Sequence, residues 1–302
     1  VSMGFVGVST AESSIMRIFP RWAEILGLPA RSLTGFDLPL DARAEDYRHV
    51  IGRIAADEDI RGALITTHKI GVYQAAADMF AELDDFSALC GEISSLSKRD
   101  GRLIGHALDP VTAGLAIEEF LPDNHFSSTG GELLCLGAGG AGTAIVWYLA
   151  HRADSPRRIF CTDISKKRLT ALRFLLRKGS VPTHVDTVQV LGPVDTLMSQ
   201  LPPGSVVVNA TGLGKDKPGS PVTEDACFPR GGVAWEVNYR GRLEFLATAG
   251  KRQAVDDLTV VDGWRYFIHG WSKVIATVYR IELTPALLGE LSTAADEFRP
   301  RL

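Results

Sequence analysis

Apolar and polar positions alternate along the chain in a way that predicts two successive series of strands and helices. In the first series Gly4–Val8 reads as a strand. Ile15, Ile18, Trp22, Ile25 and Leu26 then recur at helical spacing and predict a helix over Ser14–Leu28. Leu33–Leu38 is a second strand, Tyr47–Ala56 a helix, Ala63–Thr66 a buried strand and Val72–Phe80 a helix. Gly91–Ser97 and Leu103–His106 predict paired strands about the turn Lys98–Gly101. Asp109–Pro110 opens a helix over Val111–Phe120, and the polar, turn-rich stretch Leu121–Gly131 precedes the second series. There the pattern gives strand Glu132–Leu136, helix Gly140–His151, strand Arg158–Thr162 and helix Lys166–Arg177. Strands follow near Thr187–Val190, over Val206–Ala210 and over Gly232–Glu236, and Tyr266–Leu302 is mostly helical. Such alternation predicts an α/β protein with mainly parallel sheets.

Composition narrows the class. The 302 residues suffice for two domains, and 45% hydrophobic with 23% charged residues is the balance of a soluble globular protein. A formal net charge of −4 gives no electrostatic case for a nucleic-acid partner. Cys90, Cys135, Cys161 and Cys227 lie far apart without metal-ligand spacing, so no metal site is expected. Cys135 and Cys161 sit inside apolar runs and are expected as buried free thiols, which suits the cytoplasm. No apolar stretch reaches the ~18–20 residues of a membrane span, and no membrane partner is expected. The chain opens at Val1, so a few residues are expected to precede it.

The strongest chemical signal is Glu132-Leu-Leu-Cys-Leu-Gly137-Ala138-Gly139-Gly140-Ala141-Gly142, an apolar strand running into G-x-G-x-x-G and then a helix. Each glycine has a task in a dinucleotide-binding unit: Gly137 for the tight turn, Gly139 for approach of the pyrophosphate, Gly142 for close helix packing. The helix N-terminus presents free N–H groups to the phosphates. Asp163 ends the next strand, where a carboxylate accepts from the adenosine ribose and repels a 2′-phosphate. NAD is therefore favoured over NADP, although Lys166, Lys167 and Arg168 stand close by in sequence. An exposed first helical turn also explains those three cations.

The order of motifs resembles the shikimate/quinate dehydrogenase family along nearly the whole chain. Ile65-Thr66-Thr67-His68-Lys69 is similar to its Thr-x-Pro-His-Lys segment, one residue shorter and without the proline. Gly105-His106-Ala107-Leu108-Asp109 stands for Gly-x-Asn-Thr-Asp, and Asn209-Ala210-Thr211-Gly212-Leu213-Gly214 matches Asn-Ala-Thr-x-x-Gly. Glu236-Val237-Asn238-Tyr239 resembles Asp-x-x-Tyr, and Asp262-Gly263 opens the final segment. The resemblance implies an N-terminal α/β substrate domain over residues 1–109, to which 264–302 return, and a Rossmann NAD(P)-binding domain over 110–263. It implies a hydride transfer between nicotinamide and a small hydroxylated substrate, with Lys69 and Asp109 as the catalytic pair. Alcohol oxidation needs a base for the hydroxyl proton, and a carboxylate beside an ammonium tunes its proton affinity. Taken singly, Lys69 reads equally as a surface lysine after a strand, and Asp109 as the N-cap of the helix at Pro110. The resemblance further implies cofactor contacts at Asn209, Ala210, Thr211, Gly212 and Gly263, and substrate contacts at Ser13, Ser14, Thr66, Ser94, Tyr239 and His269, while Ser13, Thr66 and Ser94 read equally as cap or turn residues.

Several substrate positions depart from the family pattern. The second serine of Ser-x-Ser-Pro falls on Ile15, Asn-Thr becomes Ser94-Ser95, the Asn before the catalytic Asp gives way to Ala107-Leu108, and the C-terminal glutamine becomes Gly270 beside His269. A site built for hydrogen bonding rejects a substrate whose partners are gone. A different polyol, carbocycle or hydroxy acid is thus expected in place of shikimate. His68, His106 and His269 read either as pocket-lining residues or as loop histidines. Two further readings stay open: an NAD-sensing or regulatory protein without turnover, and a dehydrogenase of an unrelated small substrate. The expected assembly is a monomer or homodimer.

Overall fold

The computed structural model describes residues 1–301 except Asp216. The chain divides into two compact units, one of Val1–Leu108 with Ile268–Arg299, the other built on Asp109–Phe267. Each has its own six-stranded sheet.

The first sheet contains Ser2–Gly7 (β1), Leu33–Asp37 (β2), Ile60–Ile65 (β3), Glu82–Leu83 (β4), Ser95–Arg99 (β5) and Arg102–His106 (β6), in the order β2-β1-β3-β5-β6-β4. β1 runs parallel to β2 and β3, whereas β5 is antiparallel to both β3 and β6. The turn between β5 and β6 is Asp100-Gly101, with both φ positive (49° and 73°), the two-residue form that suits the twist of a hairpin. One face of the sheet packs Val6, Ile65 and Leu96 against Val50, Ile51 and Ile54 of helix Ala44–Ala56. Helix Ile15–Ile25 buries Ile15, Ile18, Phe19 and Trp22, and the Trp22 indole donates to the carbonyl of Leu291 (2.7 Å). That bond ties it to helix Pro285–Asp296 of the same unit.

The second sheet contains Leu133–Leu136 (β7), Arg158–Asp163 (β8), His184–Gln189 (β9), Val206–Asn209 (β10), Val233–Glu236 (β11) and Thr259–Val261 (β12). All its pairings are parallel, in the order β12-β11-β10-β7-β8-β9. This is the doubly wound dinucleotide-binding order, whose direction reverses between β7 and β10. Its central strands read as unbroken apolar runs because both faces are covered. Leu133, Cys135, Val206, Val208 and Trp235 enter one core, and Leu134, Leu136, Val207 and Ala234 the other.

The expected elements form, with shifted ends. Helix Gly140–His151 has the predicted bounds, but the helix placed at Val72–Phe80 begins three residues earlier, as Lys69–Ala76. His68 takes the N-cap position and its carbonyl accepts the Val72 N–H (2.9 Å), a start that apolar spacing does not register. Strand β4 and helices Asp85–Cys90, His125–Thr129 and Glu244–Arg252 fall in stretches left without an element, as does β12. All are short, so their periodicity spans too few residues to read. Cys135 and Cys161 are fully buried and free, whereas Cys90 is half-buried and Cys227 exposed. Among the described residues no helix is long and apolar enough to cross a membrane.

Candidate functional site

Because all six strands of the second sheet are parallel, their carboxyl ends share one edge. Gly137–Gly142 follows β7, Asp163 closes β8, Asn209-Ala210-Thr211-Gly212 leaves β10, Glu236 ends β11 with Tyr239 just beyond it, and Gly263 follows β12. Two glycines of the first loop are required by the fold. Gly137 has φ +103° and a Cβ there would lie 2.6 Å from the Ala210 carbonyl oxygen, while one on Gly142 would lie 1.9 Å from that of Gly137. Gly139 differs: an added Cβ would meet nothing within 4 Å. Its bare backbone, at the N-cap of helix Gly140–His151, faces open space. A cradle of this kind suits a phosphate-bearing ligand, since the first N–H groups of the helix lack partners inside it.

Asp163 is buried, and its carboxylate accepts the main-chain N–H of Ala138 (2.8 Å) and of Ser165 (2.8 Å). It thereby pins the glycine loop to the end of β8. The Arg168 guanidinium stands 3.8 Å away and is itself exposed. Asn209 is fully buried, donating through Nδ2 to Glu236 (2.6 Å) and accepting at Oδ1 from the Thr211 hydroxyl (2.7 Å). Gly263 lies so close to the turn after β11 that a Cβ would meet the Val237 oxygen at 2.1 Å. Tyr239 packs its ring against Phe267 (centroids 4.3 Å) and Trp264 (5.6 Å). Asp109 is the first residue of helix Asp109–Ile117 and is half-buried.

In the first unit a second set of predicted residues shares one edge. β1 and β3 are parallel, so Ser13 and Ser14 follow the same edge to which β3 delivers Thr66 and Lys69. β5, antiparallel to β3, brings Ser94 to that edge, and β6 returns to it with His106. The Ile93 N–H donates to the Lys69 carbonyl (3.2 Å), joining the two segments. Lys69 opens its helix and is half-buried. The Thr66 hydroxyl donates to the Val6 carbonyl (3.2 Å). Ser13 is half-buried, Ser14 buried, and Ile15, at the family's second serine, is wholly inside the core. A Cβ added at Gly270 would meet no atom within 4 Å, so the side chain missing there leaves open space.

Ser94 is engaged by the main chain. It is buried, and its hydroxyl donates to the His106 carbonyl (3.3 Å) while accepting the Leu108 N–H (2.9 Å). None of the three histidines lies in an open loop. His68 is buried, its Nε2 donating to the Leu38 carbonyl (3.0 Å), which leaves Nδ1 to accept from Tyr47 Oη (3.1 Å). Burial holds its pKa below the ordinary value. His106 lies in β6, its Nε2 2.9 Å from Ser97 Oγ and its Nδ1 3.8 Å from Asp84. Burial lowers its pKa while Asp84 opposes that shift. His269 is buried in helix Trp264–Tyr279.

Two groups were not singled out from sequence. Asp84 accepts N–H groups of Ser87 and Ala107, the first as N-cap of helix Asp85–Cys90. An Asp three residues before Ser87 at a helix start is a capping signal, but the contact to Ala107 is not readable from it. Glu236 was noted only within a motif. It is fully buried, and burial pushes its carboxyl up to about 7 against the bonds from Asn238 and Asn209. Among the described residues no group of three or more His, Cys, Asp or Glu is placed to hold a metal ion.

No family model matches the chain. Curated relatives include the shikimate dehydrogenase (NADP(+)) of Streptococcus suis strain 05ZYH33, 29% identical over 168 residues, which are 55% of this chain and 56% of the relative. That of Streptococcus gordonii strain Challis is 29% identical over 162 residues, 52% and 53% of the two chains. The chain thus spans about half the length of the curated relatives it matches. Solved structures align across almost the entire chain. A quinate dehydrogenase from Corynebacterium glutamicum in complex with NAD gives a TM-score of 0.75 at 18% identity, covering 98% of this chain and 99% of that one. A shikimate dehydrogenase in complex with NADP+ gives 0.75 at 17% identity, covering 99% and 96%. A 5-ketofructose reductase of Gluconobacter sp. strain CHM43 gives 0.71 at 18% identity, covering 98% of each. At these identities the structures establish a shared fold.

Proposed function

We propose that this chain, shikimate dehydrogenase-like in sequence and fold, is a nicotinamide-dependent oxidoreductase acting on the CH–OH group of a small hydroxylated carbocycle, polyol or hydroxy acid. The observation that carries the reading is the open backbone of Gly139 at the reversal point of a fully parallel sheet, between β7 and β10. Gly137–Gly142, Asp163, Asn209–Gly212 and Gly263 would hold the cofactor. The bound nicotinamide supplies a hydride acceptor or donor. Lys69 takes the hydroxyl proton during oxidation and returns it during reduction. Asp109 is the carboxylate member of the proposed pair. Asp163, whose carboxylate repels a 2′-phosphate, makes NAD the preferred cofactor. Relatives named for NADP(+) and solved folds holding either cofactor support the nicotinamide class.

The substrate is not shikimate itself on this reading, because Ile15 is buried in the core, Ser94 bonds to the main chain, and Gly270 offers no side chain. The same observations favour a second reading, a nucleotide-binding protein without turnover. One panel separates them: reduction of NAD and NADP with shikimate, quinate, cyclitols and sugar acids. Turnover of one non-shikimate compound with NAD is the expected result. Cofactor binding with no turnover across the panel selects the second reading, and absence of any dinucleotide binding overturns both.

A further inference from the structure

Glu236 is a costly residue to bury. It is fully shielded at the end of β11, and an ionised carboxylate in such a place persists only when its oxygens are hydrogen-bonded. Three donors converge on it. Asn209 Nδ2 donates to Oε2 (2.6 Å), and Asn238 donates to Oε1 through Nδ2 (2.6 Å) and through its main-chain N–H (2.9 Å). The two asparagines belong to different segments, one leaving β10 and the other leaving β11.

The network continues beyond both asparagines. Asn209 Oδ1 accepts from the Thr211 N–H (3.2 Å) and hydroxyl (2.7 Å), and Thr211 Oγ1 accepts the Leu213 N–H (3.1 Å). Both ends of the Asn209 amide are therefore fixed, Nδ2 toward the carboxylate and Oδ1 toward two donors. On the other side the Asn238 carbonyl accepts the Gly263 N–H (3.2 Å), and Gly137 packs against Ala210 and Thr211. One carboxylate thus joins the segments after β10 and β11, next to the glycine loop after β7, and the Asn238 carbonyl carries the link on to the segment after β12.

We infer that Glu236 is a positioning residue: its ionised carboxylate sets the placement of Asn209–Leu213 against Val237–Tyr239, and so shapes the backbone that receives the dinucleotide. The inference rests on the reading of this edge as a cofactor site. Its chemistry is directional. A Gln in its place presents an N–H to a donor on one side, and an Asp withdraws the carboxylate by one methylene, so neither keeps all three bonds. Protonation of Glu236 has the effect of the Gln, since a carboxylic O–H faces inward-pointing donors. Glu244 of helix Glu244–Arg252 lies in electrostatic range and adds to burial in favouring the neutral form.

The test compares the full chain with its Glu236→Gln and Glu236→Asp variants. NAD binding is measured by calorimetry at about pH 8 and about pH 6, on either side of the group's raised pKa. Amide hydrogen exchange at Thr211, Leu213 and Asn238 is followed without cofactor. At the higher pH Glu236→Gln is expected to bind NAD about tenfold more weakly, with faster exchange at all three amides and with Glu236→Asp between the two. The unmodified chain is expected to lose affinity and amide protection toward the lower pH, and Glu236→Gln to show no such change. Equal affinity and equal exchange in the unmodified and Gln proteins overturn the inference. If the variants do not fold, the pH dependence of exchange in the unmodified chain decides: loss of protection at those amides supports it, and a flat profile overturns it. Should the unmodified chain bind no dinucleotide, the cofactor reading fails and with it the claim on binding, whereas the exchange data still decide whether the carboxylate holds the two segments.

Discussion

Asp84 accepts the main-chain N–H of Ala107 with both carboxylate oxygens, at 3.0 and 3.2 Å, across 23 residues of sequence. The next N–H, that of Leu108, is held by Ser94 Oγ. Two consecutive peptide groups leading into Asp109 are therefore fastened by side chains from other segments. Ala107 and Leu108 replace an Asn-Thr pair of the family pattern, yet the backbone that carries them is doubly anchored. A catalytic group works only when its supporting backbone is held near the productive geometry, which makes these two bonds a target for mutation.

Asp84→Ala should lower stability by about 1–3 kcal/mol, because the Ala107 and Ser87 N–H groups lose their acceptor. Thermal unfolding measures that loss. Steady-state kinetics should show kcat falling while NAD binding stays near normal, since Asp84 belongs to the first unit and the glycine loop to the second. A variant with lowered melting temperature and unchanged kcat would make Asp84 a helix cap and nothing more.

Lys69→Ala should reduce turnover by ~10²–10⁴-fold, the usual contribution of a general acid–base group. Its cofactor affinity should match that of the unmodified chain. His68 is a poor substitute base, because both ring nitrogens are already engaged by Tyr47 and Leu38. Full activity in Lys69→Ala would remove the proposed proton carrier.

Asp163→Asn should weaken discrimination against NADP, since it removes the charge that opposes a 2′-phosphate while leaving an oxygen for the Ala138 N–H. Arg168→Ala should act oppositely and sharpen the preference for NAD, because its guanidinium lies beside that carboxylate. Dissociation constants for both cofactors check this, where each tenfold ratio corresponds to about 1.4 kcal/mol. Tighter binding of NADP than NAD by the unmodified chain would reverse the assignment.

Shikimate should trail the best substrate of the panel by several orders of magnitude in kcat/KM. Three contacts are absent, each worth ~0.5–1.5 kcal/mol to a neutral group and more to a carboxylate. Shikimate at the head of the panel would mean that Ser14 or His269 reaches the substrate in place of the residues lost.

The pH dependence of stability should carry the mark of His68 and His106. Burial holds both below the ordinary value of 6.5, so the folded state keeps them neutral where the unfolded chain takes up protons. Their contribution is complete above about pH 6.5 and is lost as the pH falls through their lowered values. Urea titrations across that range check the sign. His68→Gln should flatten the profile, and an unchanged slope would assign it to other groups.

The sequence by itself determined the α/β class, the glycine loop with its helix Gly140–His151, and the acidic residue ending β8. These are local patterns: apolar strands covered on both faces, a turn that only glycine permits, and a helix whose period is visible over a dozen residues. What the hydroxyl of Ser94, the imidazole of His68 and the carboxylates of Asp84 and Glu236 do was decided by the tertiary structure alone. Each has a partner 14 to 30 residues away, on a neighbouring strand or loop. A buried polar group must find its complement wherever the fold brings one, and that depends on strand order and register, which no local spacing encodes. A serine that reads equally as a substrate contact or a turn residue thus bonds the main chain, and a motif glutamate accepts from asparagines of two loops.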